Sequence, residues 1–600
     1  MLLQDFSGGI NTRIAPSLIA PNEAQVLLNV DASSGSIVPI KDKLLHTLNI
    51  NKYFTYYYAN SEIFSKVTET SYVEYRDKLY MTNFNSYPTK YDGTNEYRLG
   101  IVAPDSVPVV TPVTDPTFNY ALAINWIGGD LPIGAYNFIL VYKVATVVSK
   151  IIRTSITLAD IDDAVRINFT ASSVPDIYRE YNGVYRLVTA GATGSYYDDI
   201  VLDISANAVL PDISNLLDGS YTYVYTYYNS VEGVESRPST ISSLSVLSNE
   251  TVTITFNDVS IDPQVDKIRL YRSGGDLASY TLITEFSNVA VSYLDNNTDI
   301  SIAGNNILDS ITYKEAPTGL KYLTEAYAML FGASGDKLYY SNIALPNAWP
   351  ATNFLDFASP ITGIGAVQNG LLVFTKFKTF IVTGNSPDTF SKYLVSSSQG
   401  CINHYTIQFL DGLLIWVSQD GVCSSNGGSI EVITMQKLGK VALTNTLNAQ
   451  ILDRVYYLAL TDGLLILDFR FNFMIRKSNI VVDWIGSYLD SLYCQTTSNL
   501  YEAFTATTNL TYHYKSGLLT EGAYSNYKTF KDFYIKYNGD VQLKLYVDGT
   551  LVNTINLTGD DCYNLKALSA SSGYGIEIEL TGTAEVSEIQ YTVLGRQNGK

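Results

Sequence analysis

The sequence contains few of the side chains on which metal and nucleophile sites depend. Its three histidines and four cysteines are far apart: His46, His404, His513, Cys401, Cys423, Cys494 and Cys562. There is no CxxC pair, so the spacing offers no zinc site. Scattered cysteines of this kind indicate reduced, packed thiols in a protein made in a cytoplasm.

Long apolar runs and clustered positive charge are also missing. No apolar run approaches the ~18 residues needed to cross a bilayer, and residues 1–9 lack the basic and apolar regions of a signal peptide. We therefore expect no membrane insertion. Lys and Arg total 39 against 58 Asp and Glu, a formal net charge of −19. A basic surface that grips nucleic acid is excluded, since phosphate binding needs clustered cations.

Tyrosine and glycine are abundant, at 48 and 41 of 600 residues. Tyrosine favours strands because its ring packs on a pleated surface while its hydroxyl reaches water. Glycine supplies the turns between strands, and no long helical periodicity is present. The sequence predicts an all-β chain of several domains.

One group of landmarks occurs twice in the same order. The offset between the copies runs from 85 residues (Gly134 to Gly219) to 97 (Asp198 to Asp295). Each copy holds short, alternating, tyrosine-rich segments, which is the size and pattern of a small β-sandwich. We predict two tandem sandwiches resembling fibronectin type III domains, at 104–215 and 216–305.

A different pattern of turns followed by buried strands extends over residues 306–515. The turns begin near Gly335, Asn369, Asp411, Asp453 and Ser491. Their spacing of roughly 35–45 residues is close to the period of propeller blades. The segment 76–83 resembles 335–342, so residues 46–103 are assigned to the same irregular, propeller-like domain. A plain pair of β-sheets is the alternative.

Two terminal regions complete the predicted organisation. Residues 1–45 are predicted to be an extended arm with one short helix at 21–29, where a proline precedes good helix formers. Residues 516–600 alternate strictly and contain the hairpin signal Asp548-Gly549, which predicts a C-terminal β-sandwich.

Candidate catalytic residues are present without a supporting pattern. A glycosidase needs two carboxyl groups at a set separation, and acidic turn residues already explain Asp420, Asp453 and Asp483. His404 could act as a base oriented by Asp411 or Asp420, but no nucleophile elbow accompanies it. Cys401 with His404 is an equally weak thiol pair, and a structural histidine is the favoured interpretation.

Ligand-binding motifs give no firm site either. Residues 295–299 place oxygen ligands at alternate positions, as a calcium loop does, but lack its glycine and distal glutamate, so a turn is favoured. Nucleotide-binding and zinc-protease motifs are missing. We predict no catalytic, cofactor-binding or metal-binding residues, and a protein that is not an enzyme.

Several short segments resemble a known family. They are Phe6–Arg13, Asn22–Gln25, Asn29–Asp31, Leu338–Ser341, Pro346–Pro350, Phe380–Gly384, Gly400-Cys401, Gln419–Val422 and residues 516–531. In this order they resemble the distal tail nozzle proteins of short-tailed bacteriophages (podoviruses), also called tail tubular protein B or tail hub proteins. The segments are short and patchy, but they are spread over most of the chain.

The resemblance implies a structural virion protein of the tail, synthesised in the host cytoplasm. It implies a homo-oligomeric ring, expected to be a hexamer, that docks on the connector, adaptor and portal proteins and holds tail fibres or spikes. Viral double-stranded DNA would pass through the ring transiently during ejection. Acidic walls would repel the phosphates and allow sliding.

Two other functions stay open on the sequence alone. One is a phage or surface adhesin whose β-domains present aromatic side chains to a carbohydrate. The other is a propeller glycosidase or lyase. The missing secretion signal argues against a cellular adhesin, and the unpaired carboxylates argue against a glycosidase.

Overall fold

The structure is a computed structural model that describes residues 2–47, 53–58, 62–66, 69–112, 119–125, 131–144, 147–159, 164–170, 175–193, 196–200, 202–210, 213, 216–470, 473–488, 490–497, 499–522, 525–565 and 571–595. The chain divides into two compact units. The first comprises Met1–Leu99 and Ala316–Lys600, and the second comprises Gly100–Glu315. Both are all-β, as the sequence predicts, and the described helices are single turns: α1 (Asp299–Ile302), α2 (Met435–Leu438) and 3-10 turns at Pro16–Leu18, Ser310–Thr312, Pro387–Thr389 and His404–Thr406.

The core of the first unit consists of six antiparallel groups of four strands in the described chain, which we call blades one to six. Blade one is β9 (Ser71–Tyr75), β10 (Lys78–Thr82), β11 (Thr89–Tyr91) and β12 (Glu96–Arg98); blade two is β28 (Lys321–Ala326), β29 (Met329–Ser334), β30 (Lys337–Tyr340) and β31 (Phe354–Asp356); blade three is β32 (Ile361–Val367), β33 (Gly370–Thr375), β34 (Thr379–Thr383) and β35 (Ser391–Ser396); blade four is β36 (Gln408–Leu410), β37 (Leu413–Ser418), β38 (Gly421–Ser425) and β39 (Glu431–Val432); blade five is β40 (Thr446–Leu452), β41 (Val455–Leu460), β42 (Gly463–Asp468) and β43 (Met474–Ser478).

Blade six is completed by the beginning of the chain. Its strands are β44 (Trp484–Tyr488), β45 (Ser491–Thr496), β46 (Asn499–Glu502) and β6 (Leu44–Thr47). A separate hairpin of β7 (Tyr53–Tyr58) and β8 (Glu62–Lys66) lies beside β44. Because strands from both ends of the unit share one sheet, the propeller-like core depends on pairing between residues more than 400 positions apart, which Leu45 and Tyr501 illustrate.

The predicted turns are hairpin turns of the blades. Asp411-Gly412 and Asp453-Arg454 each connect the first two strands of a blade, with positive φ at both aspartates. Gly335-Asp336 connects instead the second and third strands of blade two. The similar segments 76–83 and 335–342 therefore occupy different hairpins: the first connects strands one and two of blade one, and the second connects strands two and three of blade two. A turn followed by an apolar strand suits either hairpin.

The C-terminal sandwich is built with the N-terminal strands. One sheet holds β1 (Leu2–Leu3), β48 (Lys528–Asn538), β51 (Asp560–Leu565), β52 (Ser572–Gly573) and β54 (Glu585–Gly595). The other contains β2 (Gly9–Ile10), β3 (Glu23–Leu28), β47 (Tyr512–Ser516), β49 (Val541–Val547), β50 (Thr550–Leu557) and β53 (Ile576–Gly582), and it continues through β3 into blade five. A small ribbon of β4 (Val30–Asp31) and β5 (Val38–Pro39) lies between. The predicted Asp548-Gly549 hairpin joins β49 to β50.

The helix predicted at 21–29 is wrong, because this segment contains β3. The strand pairs in parallel with β43 and antiparallel with β47, and its register with β47 shifts between Ala24 and Val26. That bulge leaves Ala24 and Leu27 as the buried residues of the strand. A spacing of three between buried residues imitates a helix face.

The second unit contains two sandwiches, one nested inside the other. The smaller layer of the outer sandwich is β13 (Val109–Pro112), β24 (Val252–Phe256) and β27 (Val291–Asp295), and its larger layer is β21 (Leu217–Asn229), β22 (Val234–Glu235), β23 (Ser245–Glu250), β25 (Lys267–Gly274) and β26 (Leu277–Ser287). The smaller layer of the inner sandwich is β14 (Asn119–Asn125), β17 (Ala164–Thr170) and β20 (Tyr196–Asp199), and its larger layer is β15 (Gly134–Val144), β16 (Val147–Leu158), β18 (Asp176–Tyr181) and β19 (Val184–Thr189). The segment 109–112, predicted in the first sandwich, therefore pairs in the second. The two larger layers form one nine-stranded sheet, because β16 pairs with β23.

The two sandwiches share one strand order, which accounts for the repeat in the sequence. When the two-residue β22 is left out of the count, the first, fourth and seventh strands of both form the smaller layer, and the others form the larger layer in the order three, two, five, six. The equivalent of Asp295 is Asp199 rather than Asp198, because Asp199 lies opposite Val165 as Asp295 lies opposite Val252. A shift of one residue in a strand changes the face on which a side chain lies.

A buried ion pair occupies the same place in each sandwich. Arg179 donates to Asp199 at 2.6 Å, and Arg272 donates to Asp295 at 2.5 Å. The guanidinium of Arg272 also lies 5.1 Å from the ring centre of Tyr221 and donates to Asp299. The pKa of Arg272 is raised: burial opposes its charge, and the attraction of Asp295 outweighs that cost.

Candidate functional site

The first strands of the blades surround a cavity of about 620 Å³ on the axis of the propeller-like core, which we call the axial cavity. It lies near the N-terminal ends of β28, β32, β40 and β44. The lining residues used below are Glu69, Tyr322, Thr362, Lys376, Asn403, His404, Tyr405, Gln419, Thr444, Thr446, Asp483 and Trp484. Residues of all six blades or of the segments leading into them therefore meet there.

The floor of the axial cavity is the 3-10 turn His404–Thr406, which leads into blade four. Asn403 holds this turn: its side-chain oxygen accepts from the backbone N–H of Tyr405, and its amide donates to the carbonyl of Leu447 at 2.8 Å. The carbonyl of Thr406 accepts from the hydroxyl of Tyr456 at 2.7 Å. The turn is thus hydrogen-bonded to blade five, and its His404 and Tyr405 rings line the cavity.

Aromatic rings connect three blades across this floor. The ring of Tyr322 lies 4.4 Å from that of His404, and Tyr405 meets Trp484 edge to face at 5.1 Å. Burial raises the pKa of Tyr322 to about 12. Burial, and next to it the carboxylate of Glu69, raise the pKa of Tyr405 far above its usual range.

His404 is held as a neutral imidazole. Burial lowers its pKa to about 3, because a charged ring would lose its hydration among these side chains. Its Nδ1 atom is shielded from solvent and has no hydrogen-bond partner among the described residues. A group with so low a pKa is a poor general base near neutral pH.

This shift predicts an acid-sensitive core. The unfolded chain takes up a proton at His404 below about pH 6.5 and the folded chain does not until about pH 3, so stability falls by up to about 1.4 kcal/mol per pH unit in that window. We expect the His404→Gln variant to lose less stability than the parent between pH 6.5 and 4, measured by urea unfolding. By NMR, the His404 ring should not titrate above pH 4; a midpoint near 6 would contradict the assignment.

The catalytic pairings considered from the sequence are not assembled around His404. Asp411 pairs with Arg454 at 2.8 Å, and Asp420 pairs with Lys440 at 2.7 Å. Cys401 is buried, and burial raises the pKa of its thiol to about 12, which opposes thiolate formation.

Two further acidic candidates have local partners. Asp453 lies 3.5 Å from Arg470, and Asp483 accepts from the hydroxyl of Thr497 at 3.2 Å while it also lines the axial cavity. Glu69 lines the same cavity, and the sequence analysis did not single it out. The sequence holds only a partial signal for the three rings, because Tyr322 and Trp484 lie at the beginning of β28 and β44 whereas Tyr405 precedes β36.

The candidate calcium loop is bound internally. Asp295 and Asp299 both accept from Arg272, and the backbone N–H of Asn297 donates to Asp295 in an Asx turn. In the described parts of the chain, no group of three or more His, Cys, Asp or Glu side chains could hold a metal ion. No described helix is long and apolar enough to cross a membrane.

Comparisons with known proteins show no sequence relative. No protein-family model matches the chain, and no curated protein matches it. Among solved structures, PorZ, a surface component of the type-IX secretion system of Porphyromonas gingivalis, is 14% identical over 66% of this chain and 46% of its own, with a TM-score of 0.23. This chain therefore spans less than half of PorZ.

Two more solved structures are similarly distant. The extracellular domain of a hybrid two-component system of B. thetaiotaomicron is 11% identical over 80% of this chain and 67% of its own, with a TM-score of 0.24. The GH74 enzyme of Niastella koreensis is 9% identical over 72% of this chain and 81% of its own, with a TM-score of 0.19. Likenesses at this level carry no argument about function.

Proposed function

We propose that this chain is a structural subunit of the distal tail nozzle of a short-tailed bacteriophage. In this proposal, copies of the chain form a ring, expected to be a hexamer, that docks on the head-to-tail connector. The genome would leave through the ring. The proposal is based on the position of the N-terminal segments that resemble the nozzle family, Phe6–Arg13, Asn22–Gln25 and Asn29–Asp31. They lie at the junction between blade five and the C-terminal sandwich, which we call the seam.

The seam is built from residues of the first motif. Phe6 and Ile10 are buried in the core of the C-terminal sandwich. Asn11 donates to Glu23 at 2.8 Å, and Glu23 pairs with Lys437 beside blade five. These contacts give the motif an architectural role, as expected of a protein whose function is to hold a shape.

Residues of the next motif fix the same seam. Asn29, buried and with φ of 56°, donates to the carbonyl of Thr511 and accepts from the hydroxyl of Ser478. Asp31 pairs with Arg476 of blade five, and this pair helps to lower the pKa of Asp31 against the opposing effect of burial. A rigid junction of this kind suits a subunit that transmits load along a tail.

The charge of the chain is compatible with a passage for DNA. A net charge of −19 disfavours adhesion of a polyanion, since binding strength depends on cations that displace counterions. We propose that acidic residues are concentrated on the face toward the ring channel. Connector, adaptor, portal, fibre and spike proteins are the proposed partners, and the virion tail is the proposed location.

Electron microscopy of the purified chain, alone and mixed with the connector ring encoded in the same genome, tests the proposal. We expect a ring with a central channel that caps the connector. A connector from an unrelated short-tailed phage is the control and should stay uncapped. Monomers that ignore the cognate connector under all salt conditions would overturn the nozzle assignment.

A further inference from the structure

The polar groups of the axial cavity are sorted by depth. The charged side chains Glu69, Lys376 and Asp483 are exposed and form its rim, together with Thr444. The deeper, half-buried positions carry uncharged groups that donate and accept hydrogen bonds, including the hydroxyls of Thr362 and Thr446. Glu69 is the exception to this division, because its carboxylate also acts on the hydroxyl of Tyr405; a ligand would otherwise meet uncharged partners below the rim.

The deep part also offers ring faces. Tyr322, Tyr405 and Trp484 are half-buried and come from two different blades and from the turn that leads into blade four. Aromatic faces beside uncharged hydrogen-bonding groups match molecules that have an apolar C–H face and several hydroxyls.

The size and net charge of the cavity narrow the ligand class. Its volume of about 620 Å³ lies within the roughly 300–1,000 Å³ typical of small-molecule sites. Two carboxylates against one ammonium at the rim disfavour an anionic ligand. A cation would be attracted by the rim carboxylates and by the ring faces, but it would leave the hydroxyls of Thr362 and Thr446 unused, so a cationic probe is the comparison that the test must include.

We propose that the axial cavity binds a short, neutral oligosaccharide, with one pyranose ring packed on Trp484 and its hydroxyls bonded to the hydroxyls of Thr362 and Thr446. The inference does not depend on the nozzle assignment. It gives the propeller-like core a recognition role that is separate from ring assembly.

Saturation-transfer NMR on the full chain tests this with maltotriose, cellotriose, chitotriose and mannotriose, and with sialyllactose and choline as charged comparisons. We expect at least one neutral trisaccharide to bind with a Kd on the order of 1 mM or tighter, with the strongest transfer at ring C–H protons. Quenching of tryptophan emission should give the same Kd. The absence of binding by all four neutral trisaccharides would overturn the proposal, as would tighter binding of either charged probe.

Variants assign the binding to the axial cavity. We expect Trp484→Ala to weaken it at least about tenfold and Trp484→Phe to stay within about threefold, because an aromatic face is retained. Thr444→Trp, at an exposed rim position, should block the mouth without disturbing the core. Phe409→Ala is the matched control, since Phe409 is an exposed ring lining a separate cavity beyond His404. Undiminished binding in Thr444→Trp would refute the site even if Trp484→Ala fails to fold.

Discussion

Replacement of Arg272 by methionine in the full chain is expected to lower the free energy of unfolding of the second unit by about 3–5 kcal/mol. The side chains of Arg272 and Asp295 are both fully buried, at 0% exposure. Methionine fills much of the space but leaves Asp295 as an uncompensated charge away from water. Calorimetry should show one transition moving to lower temperature, and pulse proteolysis should locate the cleavage within 100–315.

Two companion variants separate charge from packing. Asn in place of Asp295, added to Arg272→Met, should recover at least half of the loss, because it removes the charge and can still accept from the hydroxyl of Tyr223. Lys267→Met breaks a partly exposed pair with Glu285 and should cost less than about 1 kcal/mol. Equal effects of Arg272→Met and Lys267→Met would show that the buried pair has no special role.

Replacement of Asn29 by alanine should destabilise the first unit by about 2–4 kcal/mol, the second large effect. Alanine loses the side-chain bonds to Thr511, Ser478 and the backbone of Asn479, at 2.8, 3.1 and 3.0 Å. It also keeps a positive φ that favours asparagine and glycine over alanine. Urea unfolding with tryptophan emission as the signal measures the loss.

The Asn29→Gly variant divides the effect into its parts. Glycine tolerates the positive φ, so it should be more stable than Asn29→Ala by about 1 kcal/mol while lacking the same hydrogen bonds. Asn182→Ala is the matched control: Asn182 has φ of 53° but is exposed, and we expect a loss of only about 1 kcal/mol. A loss at Asn29→Ala no larger than at Asn182→Ala would mean that the seam bonds do not stabilise the unit.

Local patterns predicted much of the fold, and long-range pairing explains the failures. Asp411-Gly412 and Asp548-Gly549 predicted hairpins because turn residues act on their immediate neighbours. The strand at Glu23–Leu28 was missed because two of its partners, β43 and β47, lie more than 400 residues away and its bulge imitates helical spacing. The strand at Val109–Pro112 was placed in the wrong sandwich because its partner follows the whole inner sandwich.

The candidate site was predictable only in fragments. His404 stood out as one of three histidines, and a structural histidine with its hydrogen bonds satisfied was the favoured interpretation, whereas its Nδ1 has no partner among the described residues. Its neighbours Tyr322 and Trp484 come from other blades, and only the packing of these blades around one cavity brings the three rings together. The spacing of these residues in the sequence does not show that their side chains are in contact, because the contact depends on how the blades pack against one another.

The order in which the chain is synthesised leaves its first strands without their distant partners for a long time, although β2 can pair with β3 and β4 with β5 early. β3 cannot pair with β47 until nearly 490 further residues have been made, which takes roughly 25–100 s at ordinary translation rates. The nested sandwiches can form during that interval, because all their strands lie within residues 100–315. The second unit can therefore fold before the first unit, into which it is inserted, has been fully synthesised. Until synthesis is complete, the unpaired edge strands of the first unit can mispair with those of other nascent chains.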